Sequence, residues 1–292
     1  MPRTLSPPVS SAPSDTAEAK LLRDNSYVLG FHGFIYTSPD LPRATTVRHP
    51  ATLLISADYT PFRVATRDGP MVEVQAALVP PLVSRRLDAP NVPILSFNVM
   101  PAHAAFHAFR AMQHPGVWPL DRHAFNKTDD EFTALLEGTA GLAMAESVFQ
   151  KTVDEALRHV PPTQAPDPKA LELIRLLDAN PRLGLDELAE RFGRSPQGMS
   201  RWFTSAVGMS LRDYHNWLKQ RRVYHTLYTQ RSLTEVAFAA GFADSPQFTR
   251  AYQRWYGQSP SAARDPRFVR VLIASANMAA QADAPTDSQL GD

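Results

Sequence analysis

Two groups of hydrogen-bonding side chains recur in the last third of the chain. Gln197, Ser200, Arg201 and Thr204 form the first, and Gln247, Thr249, Arg250 and Gln253 the second. Apolar partners Met199 with Phe203, and Phe248 with Tyr252, sit four apart, so each polar group falls on the outer face of its own helix. Neither group contains a thiol, a histidine or a carboxylate pair. Their chemistry is recognition by donors and acceptors, not bond breaking. Between them lie Lys219, Arg221 and Arg222, cations placed to meet phosphates, which position a protein without reading sequence.

Other chemistry is poorly supported. The chain has no cysteine, which excludes disulfides, Cys-ligated zinc and a thiol nucleophile. It has no Gly-x-x-x-x-Gly-Lys loop, no Gly-x-Gly-x-x-Gly turn and no Gly-x-Ser-x-Gly elbow. No His-x-His strand supplies converging ligands of the metal-cupin kind. His103, His107 and His114 are spaced to share one helical face, and the first pair resembles a zincin helix, but Ala104 stands where the general-base Glu belongs. A packed or solvent-facing helix is the preferred reading. Arg43, Arg85 and Arg86 could anchor an anionic effector, although a surface position is favoured. No catalytic residue, metal or cofactor is expected.

The elements that position the two polar groups are legible around them. Leu188-Ala189 returns as Val236-Ala237, and Gly193 as Gly241. A small residue lets two helices cross closely, and a glycine can take the left-handed conformation that ends the first. Ser195-Pro196 and Asp244-Ser245-Pro246 then supply a cap and a first-turn proline for the second. Both copies close with Gly-x-Ser, at Gly208-Met209-Ser210 and Gly257-Gln258-Ser259. Residues 211–230 contain no Gly or Pro and predict one connecting helix, roughly 30 Å long at about 1.5 Å per residue. That is close to the ~34 Å separating successive major-groove faces on one side of DNA.

Upstream the texture differs. Residues 1–24, rich in Ser, Pro and Ala, are expected to be a disordered tail. Short β-branched and aromatic runs at 27–36, 51–57, 62–66, 72–79 and 92–99 predict a small antiparallel barrel or sandwich over 25–110. Residues 111–160 turn helical, with Phe132, Leu135 and Leu136, then Val148, Phe149, Val153 and Leu157, at three-to-four-residue steps. They are expected to pack on the barrel or on a second subunit, as a helical dimerisation segment. Pro161, Pro162, Pro166 and Pro168 mark a linker over 161–168. Residues 266–292 are expected to be a flexible tail.

Composition fits this division. Residues 169–265 hold 14 Lys/Arg and 9 Asp/Glu (14 − 9 = +5), leaving 16 and 20 (16 − 20 = −4) elsewhere. A basic C-terminal half suits a nucleic-acid surface confined to it. No apolar stretch follows Arg3, so a secretory signal is not expected, and the expected location is cytoplasmic.

With these motifs in place, residues 170–264 resemble the double helix-turn-helix domain of the arabinose-type (AraC/XylS) bacterial regulators. The resemblance rests on Gly208-Met209-Ser210 with Tyr214, on Val236-Ala237, Gly241-Phe242, Phe248, Arg250 and Tyr252, and on Gly257-Gln258-Ser259-Pro260 with Arg264. Gly198 in the first recognition helix and Val223 in the connector depart from the family pattern. By position, the resemblance implies base-reading roles for Gln197, Ser200, Arg201, Gln247, Thr249 and Arg250. Phosphate contacts are expected from Thr204, Lys219, Arg221, Arg222, Gln253 and Arg254. The fold class expected is α+β multidomain: a cupin-like N-terminal β-barrel sensor with helices, then an all-α double helix-turn-helix. The family further implies a double-stranded DNA partner, a small-molecule effector, RNA polymerase as a contact, a homodimer and association with the nucleoid. Two rivals are weighed against this reading: a cupin-type enzyme with a helical appendage, and a non-specific architectural DNA binder.

Overall fold

The computed structural model describes residues 23–30, 32–112, 114, 116–162 and 167–273. Residues 1–22, 163–166 and 274–292, which include most of both expected tails and part of the expected linker, lie outside the described residues.

The N-terminal half is built on two sheets. A seven-stranded sheet runs β10-β7-β4-β9-β2-β1-β11 and a four-stranded sheet runs β3-β8-β5-β6. The strands are β1 (Asp24–Val28), β2 (Gly33–Ser38), β3 (Leu41–Val47), β4 (Ala51–Ser56), β5 (Phe62–Thr66), β6 (Val72–Val74), β7 (Ala76–Val79), β8 (Ser84–Ala89), β9 (Ile94–Val99), β10 (Trp118–Leu120) and β11 (Val269–Ile273). All ladders are antiparallel except β1 with β11. Alternation along β4 assigns its side chains to opposite layers. Leu53 and Ile55 face helices, whereas Leu54 faces the second sheet. Both faces are covered, which is why β4 and β9 are buried at every position, the polar Thr52, Ser56, Ser96 and Asn98 included. The space between the sheets is filled by Leu54, Phe62, Val64, Ala77, Val79 and Leu87.

On the outer face of the larger sheet lie α1 (Phe106–Arg110), a 3-10 turn (Arg122–Thr128), α2 (Asp129–Glu137) and α3 (Leu142–Arg158). Phe132, Val148, Phe149 and Val153 are buried there against Phe97 and its neighbours. Arg122 pins this layer down: its side chain is buried, donates to the Ser56 carbonyl at 2.6 Å and pairs with Asp129 at 2.6 Å.

The expected N-terminal β-domain followed by an all-α C-terminal domain is what the chain adopts. Four readings need correction. Residues 72–79 are two strands, because the chain switches sheets at Gln75. β3 and β8 were not foreseen, since their Thr and Arg side chains mask the pattern of an outer sheet. The 111–160 segment is not helical throughout, since it includes strand β10, while α3 packs on the sheet as the first of its two expected alternatives has it. Residues 269–273, read as tail, form β11 on the edge of β1, where a β-branched segment completes an open row of backbone groups. The three histidines also fail to share a helix: His103 precedes α1, accepting the Ala105 N–H, and His114 follows it.

The C-terminal helices are α4 (Pro168–Ala179), α5 (Leu185–Arg191), α6 (Pro196–Val207), α7 (Leu211–Thr226), α8 (Leu233–Ala239), α9 (Ser245–Tyr256) and α10 (Pro260–Arg264). The last of them dock on the β-domain. Phe34 packs on Tyr224 with ring centres 4.8 Å apart, His49 and Gln220 share a 2.7 Å hydrogen bond, and the Arg48 Nε donates to the Trp255 carbonyl at 3.1 Å. Gly257 closes α9 at φ +76°, and a Cβ there would stand 2.9 Å from the Ala44 Cβ. Gly257→Ala is therefore expected to cost about 2 kcal/mol through overpacking and backbone strain. Thermal denaturation checks this, and a melting temperature equal to wild type would refute the close approach.

Candidate nucleic-acid interface

Each half of the C-terminal domain is a pair of short helices set by local chemistry. In the first, Leu188 and Ala189 bury the inner face of α5, and Gly193 turns the chain at φ +61°. The Ser195 hydroxyl accepts the Gly198 N–H at 3.1 Å and Pro196 occupies the first turn of α6, where its missing N–H costs nothing. Gly198 thus lies in the capped first turn, where the helix penalty of glycine is least damaging. Met199, Phe203 and Val207 are buried, and Gln197, Ser200, Arg201 and Thr204 remain exposed.

The second pair repeats the device. Ser232 and Glu235 form a reciprocal capping box at the start of α8, and hydrogen bonds from Ser232 hold the Glu235 carboxyl below its usual range. Gly241 turns at φ +86°, and the Asp244 carboxylate accepts the Gln247 N–H to start α9. Phe248, Tyr252 and Trp255 are buried, while Gln247, Arg250, Gln253 and Arg254 are exposed and Thr249 is half-buried.

α7 joins the two pairs. Its inner face carries Tyr214, Trp217, Leu218, Arg221 and Tyr224 at helical spacing. It spans 16 residues, or about 24 Å at 1.5 Å per residue, shorter than the sequence predicts. Thr226 and Thr229 hydroxyls donate back to carbonyls of the preceding turn, an arrangement that competes with helix continuation. Between α6, α7 and the turn before α9 opens a cleft of about 800 Å³, bordered by Arg182, Arg212, His215, Lys219 and Arg222.

Residues 188–265 match the helix-turn-helix domain family. Among curated proteins, the HTH-type transcriptional activator RhaS of Escherichia fergusonii is 27% identical over 165 residues, covering 53% of this chain and 59% of that protein. RhaS of Yersinia pestis (strain Pestoides F) is 30% identical over 125 residues, covering 41% and 45%. The chain thus spans about half the length of the curated relatives it matches. Among solved structures, ToxT from Vibrio cholerae O395 superposes with a TM-score of 0.52 at 10% identity, over 78% of this chain and 94% of that one. The C-terminal part of the chain is thus a helix-turn-helix domain.

Within this helix-turn-helix domain the expected site residues separate into three classes. Gln197, Ser200 and Arg201 stand together on the exposed face of α6, and Gln247 and Arg250 on that of α9, with Thr249 half-covered beside them. Arg201 and Thr204 lean back onto the carbonyls of Gln197 and Ser200, and Gln247 Oε1 accepts the Ala243 N–H at 2.9 Å, which leaves its amide hydrogens as outward donors. Lys219 and Arg222 line the basic cleft. Arg221 does not join them. It is buried and pairs with Asp178 at 2.8 Å, tying α7 to α4, where the Tyr214 hydroxyl also donates to Asp178. Its place four residues after Trp217 could have revealed this, since the position falls on the buried face.

Sequence reasoning missed Arg182, Arg212 and His215. Lone cations in loops and on helix faces carry no periodic signal, and only the folded cleft gathers them. Burial, then Arg222 and Lys219 nearby, pushes the His215 imidazole below its usual range, so at neutral pH it enters the cleft uncharged. Among the described residues no cluster of three or more His, Cys, Asp or Glu could hold a metal ion. Nor is any described helix long and apolar enough to cross a membrane. Arg85, favoured as a surface residue, is instead buried in β8. Arg86 is exposed and donates to the Gly69 carbonyl, and the Arg43 side chain lies outside the described residues.

Proposed function

We propose that the chain is a sequence-specific DNA-binding transcriptional regulator that reads two major-groove segments with α6 and α9. The observation that carries this reading is the duplicated capped helix, exposing Gln197, Ser200 and Arg201 on one copy and Gln247 and Arg250 on the other. Arginine and glutamine present the donor pairs that match guanine and adenine edges in the major groove. Lys219 and Arg222, joined by Arg182 and Arg212, take the DNA backbone that passes between the two reading helices, and Thr204, Gln253 and Arg254 contact phosphates at the flanks.

The β-domain serves as the sensor of a small-molecule effector, the chain acts in the cytoplasm as a homodimer, and polymerase recruitment changes in response. ToxT has been solved with an unsaturated fatty acid bound. That example motivates an effector for the present chain without naming it.

Selection of fragmented genomic DNA by the purified chain tests the reading. Enrichment of a shared motif is the expected result. Equal retention of every fragment would point instead to a non-specific architectural binder, and no retention at any salt concentration would overturn DNA binding itself.

A further inference from the structure

The basic cleft between α6, α7 and the turn before α9 holds one group unlike the rest. His215 sits half-buried in its lining, beside Arg212, Lys219 and Arg222 of the same helix and Arg182 of the loop before α5. Lys219 and Arg222 follow it by about one and two helical turns. Among the described residues no carboxylate lines the cleft. Asp213, the acid closest to His215 in sequence, is engaged by the Ser210 hydroxyl at 2.6 Å, and Asp178 by Arg221 and Tyr214.

The His215 ring has two nitrogens and one partner. The Leu183 carbonyl engages one nitrogen, which must carry the hydrogen because a carbonyl oxygen only accepts. Among the described residues no second hydrogen-bond partner meets the imidazole. In the uncharged ring the other nitrogen is therefore a bare acceptor. A phosphate oxygen is an acceptor too, so the two cannot bond as they stand. Burial and the cations Arg222 and Lys219 hold the ring in that uncharged form in the DNA-free chain. Backbone phosphates lift the second of these pressures. They neutralise the cations and offer the ring an anionic acceptor.

We propose that His215 takes up a proton as the DNA backbone enters this cleft, and so becomes a charged phosphate contact that exists only in the complex. The proton comes from solvent and ends on the nitrogen turned from Leu183, which leaves the carbonyl contact intact. DNA binding is thereby linked to pH. The bound ring holds its proton more tightly than the free one. Affinity therefore has its full gain below the range of the free ring and loses it as pH rises through that of the bound ring. The contact is to phosphate, so selected and unrelated sequences strengthen alike. The inference rests on the reading above that this cleft takes the DNA backbone, and it adds a regulation of that site.

Titration of the full chain with the selected fragment and a scrambled one, at about pH 6 and about pH 8 and fixed ionic strength, tests it. The wild type is expected to bind both about tenfold more tightly at the lower pH, the scale of one added hydrogen bond to a charged group. His215→Gln keeps an N–H for the Leu183 carbonyl but cannot take a proton. It should match the wild type at about pH 8 and lose most of the gain at about pH 6. The other histidines titrate in both proteins, so the difference belongs to His215. Should the variant fold poorly, calorimetry of the wild type in two buffers of unlike ionisation enthalpy counts the protons taken up on binding. Uptake of up to about one proton is expected at about pH 6.5. Wild-type binding that ignores pH, no proton uptake, or undiminished pH dependence in His215→Gln would overturn the proposal and leave the regulator reading standing. Absence of DNA binding at every pH and salt concentration would overturn that reading, and this proposal with it.

Discussion

The Arg201→Ala/Arg250→Ala double variant is expected to lose about 2–6 kcal/mol of specific DNA affinity, since each good base-edge contact contributes roughly 1–3 kcal/mol of discrimination. That corresponds to a drop of about thirty-fold to twenty-thousand-fold for the selected motif. Both side chains are exposed and neither holds the domain together, so the variant should melt like the wild type. Affinity for unrelated DNA should fall far less, because Lys219, Arg222, Arg182 and Arg212 remain to neutralise phosphates. Titration of the selected fragment and a scrambled one at fixed salt gives both values. If the double variant still prefers the motif by the same ratio, α6 and α9 are not the reading helices.

Trp217→Ala should act by the opposite route, destroying the frame and sparing the reading surface. Trp217 is 1% exposed and lies on α7 in one apolar cluster with Phe203, Tyr214 and Leu218. Truncating a buried tryptophan to alanine costs about 3–5 kcal/mol through lost transfer energy and the cavity left behind. For a domain of roughly a hundred residues this lowers the melting temperature by about 12–30 °C. Far-UV circular dichroism on heating reads the loss directly. A melting temperature within a few degrees of wild type would mean that α7 is not the strut joining the two pairs.

Much of the reading surface was legible in sequence because three independent signals coincide there. The apolar pairs Met199/Phe203 and Phe248/Tyr252 fix which face is buried, the Ser-Pro and Asp-Ser-Pro starts fix where helices begin, and Gly193 and Gly241 fix the turns. Helical structure is local, so a few neighbouring residues suffice. Arg221 is the exception: its charge suggests a phosphate contact, but Trp217 one turn earlier marks its face as the buried one. The β-domain was harder. β3 and β8 pair through an outer sheet whose Thr46, Arg85 and Asp88 are buried polar groups, so no apolar alternation advertises them. β11 was lost for another reason: its partner β1 lies at the far end of the chain, and no local pattern encodes so distant a pairing.

The β1–β11 ladder also bears on how the chain is made. Asp24 aligns with Val269 and Val28 with Ile273, so the edge of the sensor sheet is completed by nearly the last described residues. A ribosome adding about 5–20 residues per second leaves that edge open for on the order of tens of seconds after β1 has emerged. During this interval the nascent β-domain carries a row of unsatisfied backbone donors and acceptors, the kind of template on which neighbouring chains pair wrongly. The helix-turn-helix units, rich in local contacts, form quickly by comparison. The sensor sheet is therefore sealed only after both helix-turn-helix units have been made, and a chain truncated before Val269 leaves the edge of β1 unpaired.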